Sequence, residues 1–286
     1  MLRWFTERRP APNPGSPPPE PPPAPPAGPD LATLTFPKFN DGFPTPQAAL
    51  DLFKDRWASS LPDVDGQPLI AGGAPHFTQV PQARQAAAAF GGGTGRLDGF
   101  KVVELGPMEG GHTYQLENLG ADVTAVEGNA EAYLKCLISK EILGLQRARF
   151  LLGDFVRYLE ETERTFDMVL ASGVLYHMVQ PLKLIQLICK VAPRSLMWTH
   201  YYDPDLCEGY QGEPVEYAGV SAEHFSKGYG DRTHGKFWGG LADRASWLPR
   251  EDILRAFQAF GHTNVQVVDE GRDHPHGPCF TIVTSR

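Results

Sequence analysis

Several features are scarce in this chain of 286 residues, and each scarcity excludes something. There are four cysteines, Cys136, Cys189, Cys207 and Cys279, with no CxxC pair among them. That removes the usual sequence signature of a zinc or redox pair and of a disulfide-stapled secreted scaffold. Thiols scattered in this way are expected to be reduced and buried, as in a cytoplasmic protein. No apolar run approaches the roughly 18 residues a spanning helix needs. The opening MLRWFTERRP has charge but no apolar centre, so no secretory leader is expected. Basic residues are outnumbered, 26 Lys and Arg against 34 Asp and Glu, for a formal charge of −8. This balance does not favour a nucleic-acid partner or an anionic membrane surface.

Proline is abundant and concentrated. Residues 10–29 read PAPNPGSPPPEPPPAPPAGP, which can build neither a helix nor a ladder, so residues 1–30 are expected to be a disordered tail. A docking role toward an SH3- or WW-like partner is its alternative. From residue 31 the composition becomes globular. Thr45 and Pro46 mark a helix start, and Ala49, Leu50, Phe53, Trp57 and Leu61 space out as one apolar face, predicting an amphipathic helix. A second helix is predicted over Pro81–Phe90, stopped by Gly91–Gly95; the periodicity shows only that these helices exist.

The chain then centres on KVVELGPMEGGHTYQLENLGADVTAVEGN, residues 101–129. Val102, Val103 and Leu105 form a short β-run. Gly106, Gly110 and Gly111 let the backbone turn tightly and come close to a ligand. Thr113–Leu119 is a helix, and Ala121–Val126 a second strand with Glu127 at its carboxyl end. In an open parallel sheet that end of the strands is where a nucleotide-like cofactor lies, with Glu127 placed for ribose hydroxyls. Strands at Ala148–Leu152, Phe166–Ala171 and Ser195–Thr199 follow, alternating with helices, which predicts parallel pairing with right-handed crossovers. The last two, Asn264–Val268 and Cys279–Thr284, are joined by about ten residues without a helix, too few for a parallel crossover. The expected fold is therefore α/β: a doubly wound, mostly parallel seven-stranded sheet ending in an antiparallel pair. Residues 204–246, rich in Gly, Tyr and charge without clear period, are expected to be an inserted lid.

These motifs resemble the class I S-adenosylmethionine (SAM)-dependent methyltransferases. The carriers are VVELGPMEGG (102–111), AVEGN (125–129), LLGDF (151–155), FDMVLASGVLYH (166–177) and the terminal strand pair, so the resemblance covers roughly 95–286. SGVLYH followed by a proline-led helix looks like the tRNA wobble-uridine methyltransferase-like group. ELGPxEGGHT looks like bacterial methyltransferases near glycan or natural-product genes. Met108 stands where the family usually has a middle glycine, a departure that also weakens a nicotinamide-binding pattern. The resemblance implies that residues 31–95 form a helical cap, and it implies SAM as cofactor, held by Glu104, Gly106, Met108, Gly110, Gly111, Glu127, Gly128, Asp154, Phe155, Ser172 and Gly173. Glu127 would take the ribose hydroxyls, Asp154 the adenine amino group or, alternatively, a helix N-cap. His177, Tyr176 and His200 are the candidate catalytic groups, with a packed structural histidine as the alternative for His177. Tyr201, Tyr202, His234 and Trp238 are candidate substrate contacts. Asp203 with Asp205 is read as a solvated loop pair, and His274 with His276 as substrate contacts or loop structure, rather than as metal ligands, so no metal is expected. The function expected is methyl transfer to an oxygen or nitrogen of a small molecule, a sugar, glycan or secondary metabolite. The alternatives are tRNA modification and a non-catalytic SAM-fold interaction protein.

Overall fold

A computed structural model describes residue 36 and residues 39–229 and 239–286; the proline-rich tail, His234, Lys236 and Trp238 lie outside them. In chain order the elements are α1 (Pro46–Leu50), α2 (Gln82–Phe90), β1 (Lys101–Leu105), α3 (Gly111–Asn118), β2 (Asp122–Glu127), α4 (Ala130–Ile142), β3 (Ala148–Leu152), α5 (Phe155–Glu161) and β4 (Met168–Ser172). There follow α6 (Pro181–Val191), β5 (Arg194–His200), β6 (Gln211–Tyr217), β7 (Val220–Gly228), β8 (Arg244–Trp247), α7 (Arg250–Ala259), β9 (Asn264–Gly271) and β10 (Cys279–Ser285).

Seven strands form one sheet in the order β3-β2-β1-β4-β5-β10-β9. The first five are parallel. β10 runs antiparallel between β5 and β9, with Cys279 opposite His200. This is the doubly wound sheet with an antiparallel ending that the motif order predicts. Apolar strands β1 and β4 bury both faces, as central parallel strands must. One face packs Val103, Val169, Met197 and Ile282 against α6 and α7. The other packs Val102, Leu170, Leu196 and Val283 against residues from α2 and α3. Along β5 this alternation puts Leu196, Trp198 and His200 on one face and Met197 and Thr199 on the other.

Two expectations are corrected. The helix predicted over 47–61 ends early: α1 stops at Leu50, a 3₁₀ turn covers Asp51–Phe53, and Asp55 takes φ +63°. Trp57 and Leu61 are still buried, but by an irregular chain. The cause is a competing set of partners: the Glu109 carboxylate accepts from Ala58 N (2.9 Å) and Ser59 N (2.8 Å), and Trp57 Nε1 donates to Leu50 O (2.9 Å). Nor is residues 204–246 aperiodic: β6, β7 and β8 form a second, antiparallel sheet. Its hairpin turns at Ala218 and Gly219, both with positive φ (+50° and +79°). That geometry usually advertises itself as Asn-Gly or Asp-Gly, and Pro214 further disguises β6, which is tolerated because β6 is an edge strand.

Candidate active site

The turn after β1 is built by residues of unusual backbone. Gly106, Met108 and Gly110 have φ +65°, +60° and +91°. For glycine this is free; for Met108 the left-handed conformation costs on the order of 1–2 kcal/mol. Met108 is held there at both ends, its N–H donating to Glu127 Oε2 (2.9 Å) and its carbonyl accepting from Cys136 Sγ (3.3 Å). The departure from the family pattern is thus absorbed by the β2 acid and by α4. Gly110 caps α3. Gly111 lies under Phe77, whose ring a Cβ at that position would meet at 3.2 Å.

Glu127 accepts a second backbone N–H from Asn129 at 2.8 Å. Burial raises its pKa, and the N–H groups of Asn129, Met108 and Gly128 oppose that rise. Each carboxylate oxygen accepts two hydrogen bonds, so Glu127 keeps acceptor capacity beyond these backbone N–H groups. Glu104, at the end of β1, is fully enclosed. Its Oε2 accepts from Thr113 Oγ1, while Oε1 is buried with no hydrogen-bond partner. His112 Nδ1 stands 3.7 Å from Oε1, but no charged pair forms. Burial pushes Glu104 up to about 8, opposed by the Thr113 hydroxyl and helped by Glu127, and pushes His112 down to about 4. An orphaned carboxyl oxygen beside a glycine turn, next to the second acid Glu127, is an open acceptor that the ammonium end of SAM would fit. Asp154 caps α5 through Val156 N (2.8 Å), so the capping role is present. Phe155 opens that helix half-buried. Gly128 packs beneath Leu241, whose Cδ2 would lie 3.2 Å from a Cβ there.

Beyond β4, Ser172 and Gly173 lead into a 3₁₀ turn, Leu175–His177. A Cβ on Gly173 would meet Tyr176 Oη at 3.6 Å and Trp198 Cζ3 at 3.7 Å. Ring centroids place Tyr176 4.1 Å from His177, 4.7 Å from His200, 6.0 Å from Trp198 and 6.1 Å from Trp247. His200 stacks on Trp247 at 5.3 Å. Three catalytic candidates, far apart or adjacent in sequence, thus share one aromatic cluster at the ends of β4 and β5. His177 Nδ1 bonds Tyr229 Oη at 2.6 Å, and burial, with His200 adding, holds its pKa down to about 4. Burial likewise raises Tyr176 to about 12.

Among the expected substrate contacts, Tyr202 belongs to this side: it stacks on Phe225 at 3.4 Å and lies 5.8 Å from Tyr210. Tyr201 does not. It packs in the core on Phe280 and donates to Glu270 Oε1 at 2.8 Å, because adjacent residues of an extended chain point to opposite faces. His234 and Trp238 are outside the described residues. Trp198, Trp247, Tyr210 and Tyr229 join the cluster without a sequence signal of their own, save that Trp198 lies two positions before His200 on one strand.

Residues 97–230 match the family model described as "Methyltransferase domain". No curated protein matches the sequence. Among solved structures, the N-terminal domain of EvdMO1, solved in the presence of SAH and D-fucose, is 23% identical with a TM-score of 0.60, covering 84% of this chain and 94% of that one. Full EvdMO1 is 20% identical with a TM-score of 0.52, covering 78% and 43%. The CcbJ methyltransferase from Streptomyces caelestis is 17% identical with a TM-score of 0.48, covering 74% and 92%. The motif order, the sheet order, the glycine turn with its two acids and the matching family model agree: the chain carries a class I, Rossmann-like, SAM-dependent methyltransferase domain, with SAM as its cofactor.

Proposed function

We propose that the enzyme methylates an oxygen or nitrogen of a small molecule, of the sugar, glycan or secondary-metabolite kind, seated against the aromatic cluster beyond Gly173. The observation that carries this reading is the convergence of Tyr176, His177, Trp198, His200 and Trp247 at the end of β4. Flat aromatic walls with a few polar tips are the composition of small-ligand sites. SAM supplies an activated methyl group. The chain's part is to position the acceptor, exclude water and receive its proton.

Glu127 binds the ribose hydroxyls, Asp154 and Phe155 meet the adenine, and Glu104 with Gly106–Gly111 holds the amino-acid end. Ser172 and Gly173 border the methyl. His177 is the proton acceptor. In the tautomer that donates Nδ1–H to Tyr229 Oη, Nε2 keeps a free lone pair; burial keeps the ring neutral and makes it a weak base, so it takes the proton only as the new bond to the methyl carbon forms. Residues 45–90 cover the cofactor turn. Support comes from Phe77 over Gly111 and from Gln115 Nε2, which donates to Phe77 O and to Val80 O (2.9 Å).

The test has two stages. Isothermal titration should show SAM binding; its absence overturns the assignment of Glu127 and Glu104. SAH release is then measured with a panel of deoxyhexoses, glycosides and aromatic metabolites, and with tRNA. A deoxyhexose leads the panel because D-fucose accompanies a structural neighbour. Turnover on tRNA, with steep salt dependence, and none on the small molecules would overturn the proposal.

A further inference from the structure

We propose that His200, His274 and Cys279 bind a zinc-type divalent ion with an open fourth position at the acceptor side of the site. Each side chain offers one ligand atom, and the three atoms lie within 4.8 Å of one another among the described residues. They come from three places in the fold. His200 ends β5, Cys279 begins β10 directly opposite it in the antiparallel register, and His274 lies on the β9–β10 connection. Their sequence spacing carries no metal signature, so the reading of HPH as an ordinary turn motif missed what the strand register creates.

Three further observations point to a ligand. His200 Nδ1 donates to the carbonyls of Gly277 (2.9 Å) and Pro278 (3.2 Å). This fixes the tautomer and leaves Nε2 as a bare donor atom, the backbone-carbonyl support that metal-ligating histidines usually have. The rings are held in place: His200 stacks on Trp247 and stands 5.0 Å from His274 and 5.1 Å from Trp198. The donor set is two imidazoles and one thiolate, which suits zinc over the hard oxygen-seeking ions. Tetrahedral zinc with bonds of about 2.0 Å to nitrogen and about 2.3 Å to sulfur needs the donors closer than 4.8 Å. The adjustable member is His274. It is only half-buried, and its Nδ1 takes the His276 N–H at a long 3.2 Å, a local contact that ring rotation gives up.

Three protein ligands leave the fourth position for solvent or substrate. Tyr176, 4.7 Å from His200, and Trp198, 6.1 Å from His274, border it. In this role, which rests on the methyltransferase assignment, the ion takes the acceptor hydroxyl as its fourth ligand and lowers its pKa. The hydroxyl proton passes to His177. The alkoxide oxygen forms the new bond to the methyl carbon, and the carbon–sulfur pair stays on sulfur as SAH leaves.

The test uses untagged full-length protein, stripped with a chelator and reloaded with Zn2+ or Co2+ alone. Elemental analysis should give one equivalent. The Co2+ form should show a thiolate-to-metal charge-transfer band and intense tetrahedral ligand-field bands. Cys279→Ser should abolish the former, and His274→Ala should weaken metal binding by at least tenfold. SAM titration on each variant is the folding control and should stay within about twofold of wild type. Substoichiometric metal after reloading, or Co2+ spectra unchanged by Cys279→Ser, overturns the site. Loss of SAM binding in the wild type would instead strike the cofactor assignment and leave the metal result standing.

Discussion

Glu109 and Lys135 form an ion pair of 3.1 Å with both side chains only 1% exposed. It ties the cofactor turn to α4 and, through Ala58 N, Ser59 N and the Arg56 carbonyl, to the irregular chain that precedes the sheet. Lys135 Nζ also lies 5.6 Å from the rings of Phe53 and Trp57. Lys135 Nζ pairs with Glu131 Oε1 as well (3.1 Å), so Glu109→Gln leaves the ammonium an ionic partner, whereas Lys135→Met removes the cation paired with the buried Glu109 carboxylate and should be the costlier of the two, about 3–5 kcal/mol of stability. The double variant should lose clearly less than the sum. Urea denaturation of the four proteins gives the coupling, and strict additivity would contradict a coupled pair.

Glu127 organises the turn and, in the proposed function, also takes the ribose hydroxyls. Glu127→Ala would remove those acceptors and leave the N–H groups of Met108 and Asn129 without their partner. Hydrogen bonds to a charged group contribute about 1.5–3 kcal/mol each, so the Kd for SAM should rise by at least tenfold. Isothermal titration decides. An unchanged Kd would mean that Glu127 shapes the loop and nothing more.

Glu104 makes the unliganded enzyme pH-sensitive. Its folded value near 8 stands above the ordinary 4.5. Between those two values the folded chain keeps a proton that the unfolded chain has released. Stability therefore falls as pH rises through this window, and Glu104→Gln should flatten the slope of Tm against pH. Binding a cationic cofactor favours the ionised carboxyl, so SAM should expel a proton below pH 8. Its affinity should climb with pH to a plateau above that. Titration in two buffers of different ionisation heat measures the released proton, and no release at pH 7 would count against contact with the SAM ammonium.

His177 has its folded value pushed down to about 4 from the ordinary 6.5. It stays neutral across the physiological range, and its contribution to stability is lost as pH falls below about 6.5 toward 4. His177→Ala should lower kcat by about 10²–10⁴ while leaving SAM affinity nearly intact. Tyr229→Phe should lower kcat less, through the lost orientation of Nδ1. A variant with unaltered kcat would make His177 a packing residue.

The glycine turn and the two acids beside it were legible because they are local. Gly106, Gly110, Glu104 and Glu127 lie within one strand–turn–helix–strand unit, and that unit carries its own punctuation. The antiparallel ending was legible from loop length alone. The aromatic cluster beyond Gly173 was not. It depends on strand parity, which turns His200 toward Trp198 and Tyr201 into the core, and on a hairpin whose Ala218-Gly219 turn hides the second sheet. The helix over 47–61 failed because Glu109, about fifty residues away, offers a buried acceptor that outcompetes helical hydrogen bonding for Ala58 and Ser59.

By itself, then, the sequence determined the seven strands, the parallel pairing of the first five and the antiparallel ending, because periodicity, glycine turns and crossover length act over short stretches of chain. The tertiary structure alone decided which side chains cluster beyond Gly173. Cys279 faces His200 only because β10 pairs antiparallel with β5, and Tyr229 reaches His177 only across the second sheet. Such meetings are set by register and packing between distant segments, which no local pattern of residues encodes.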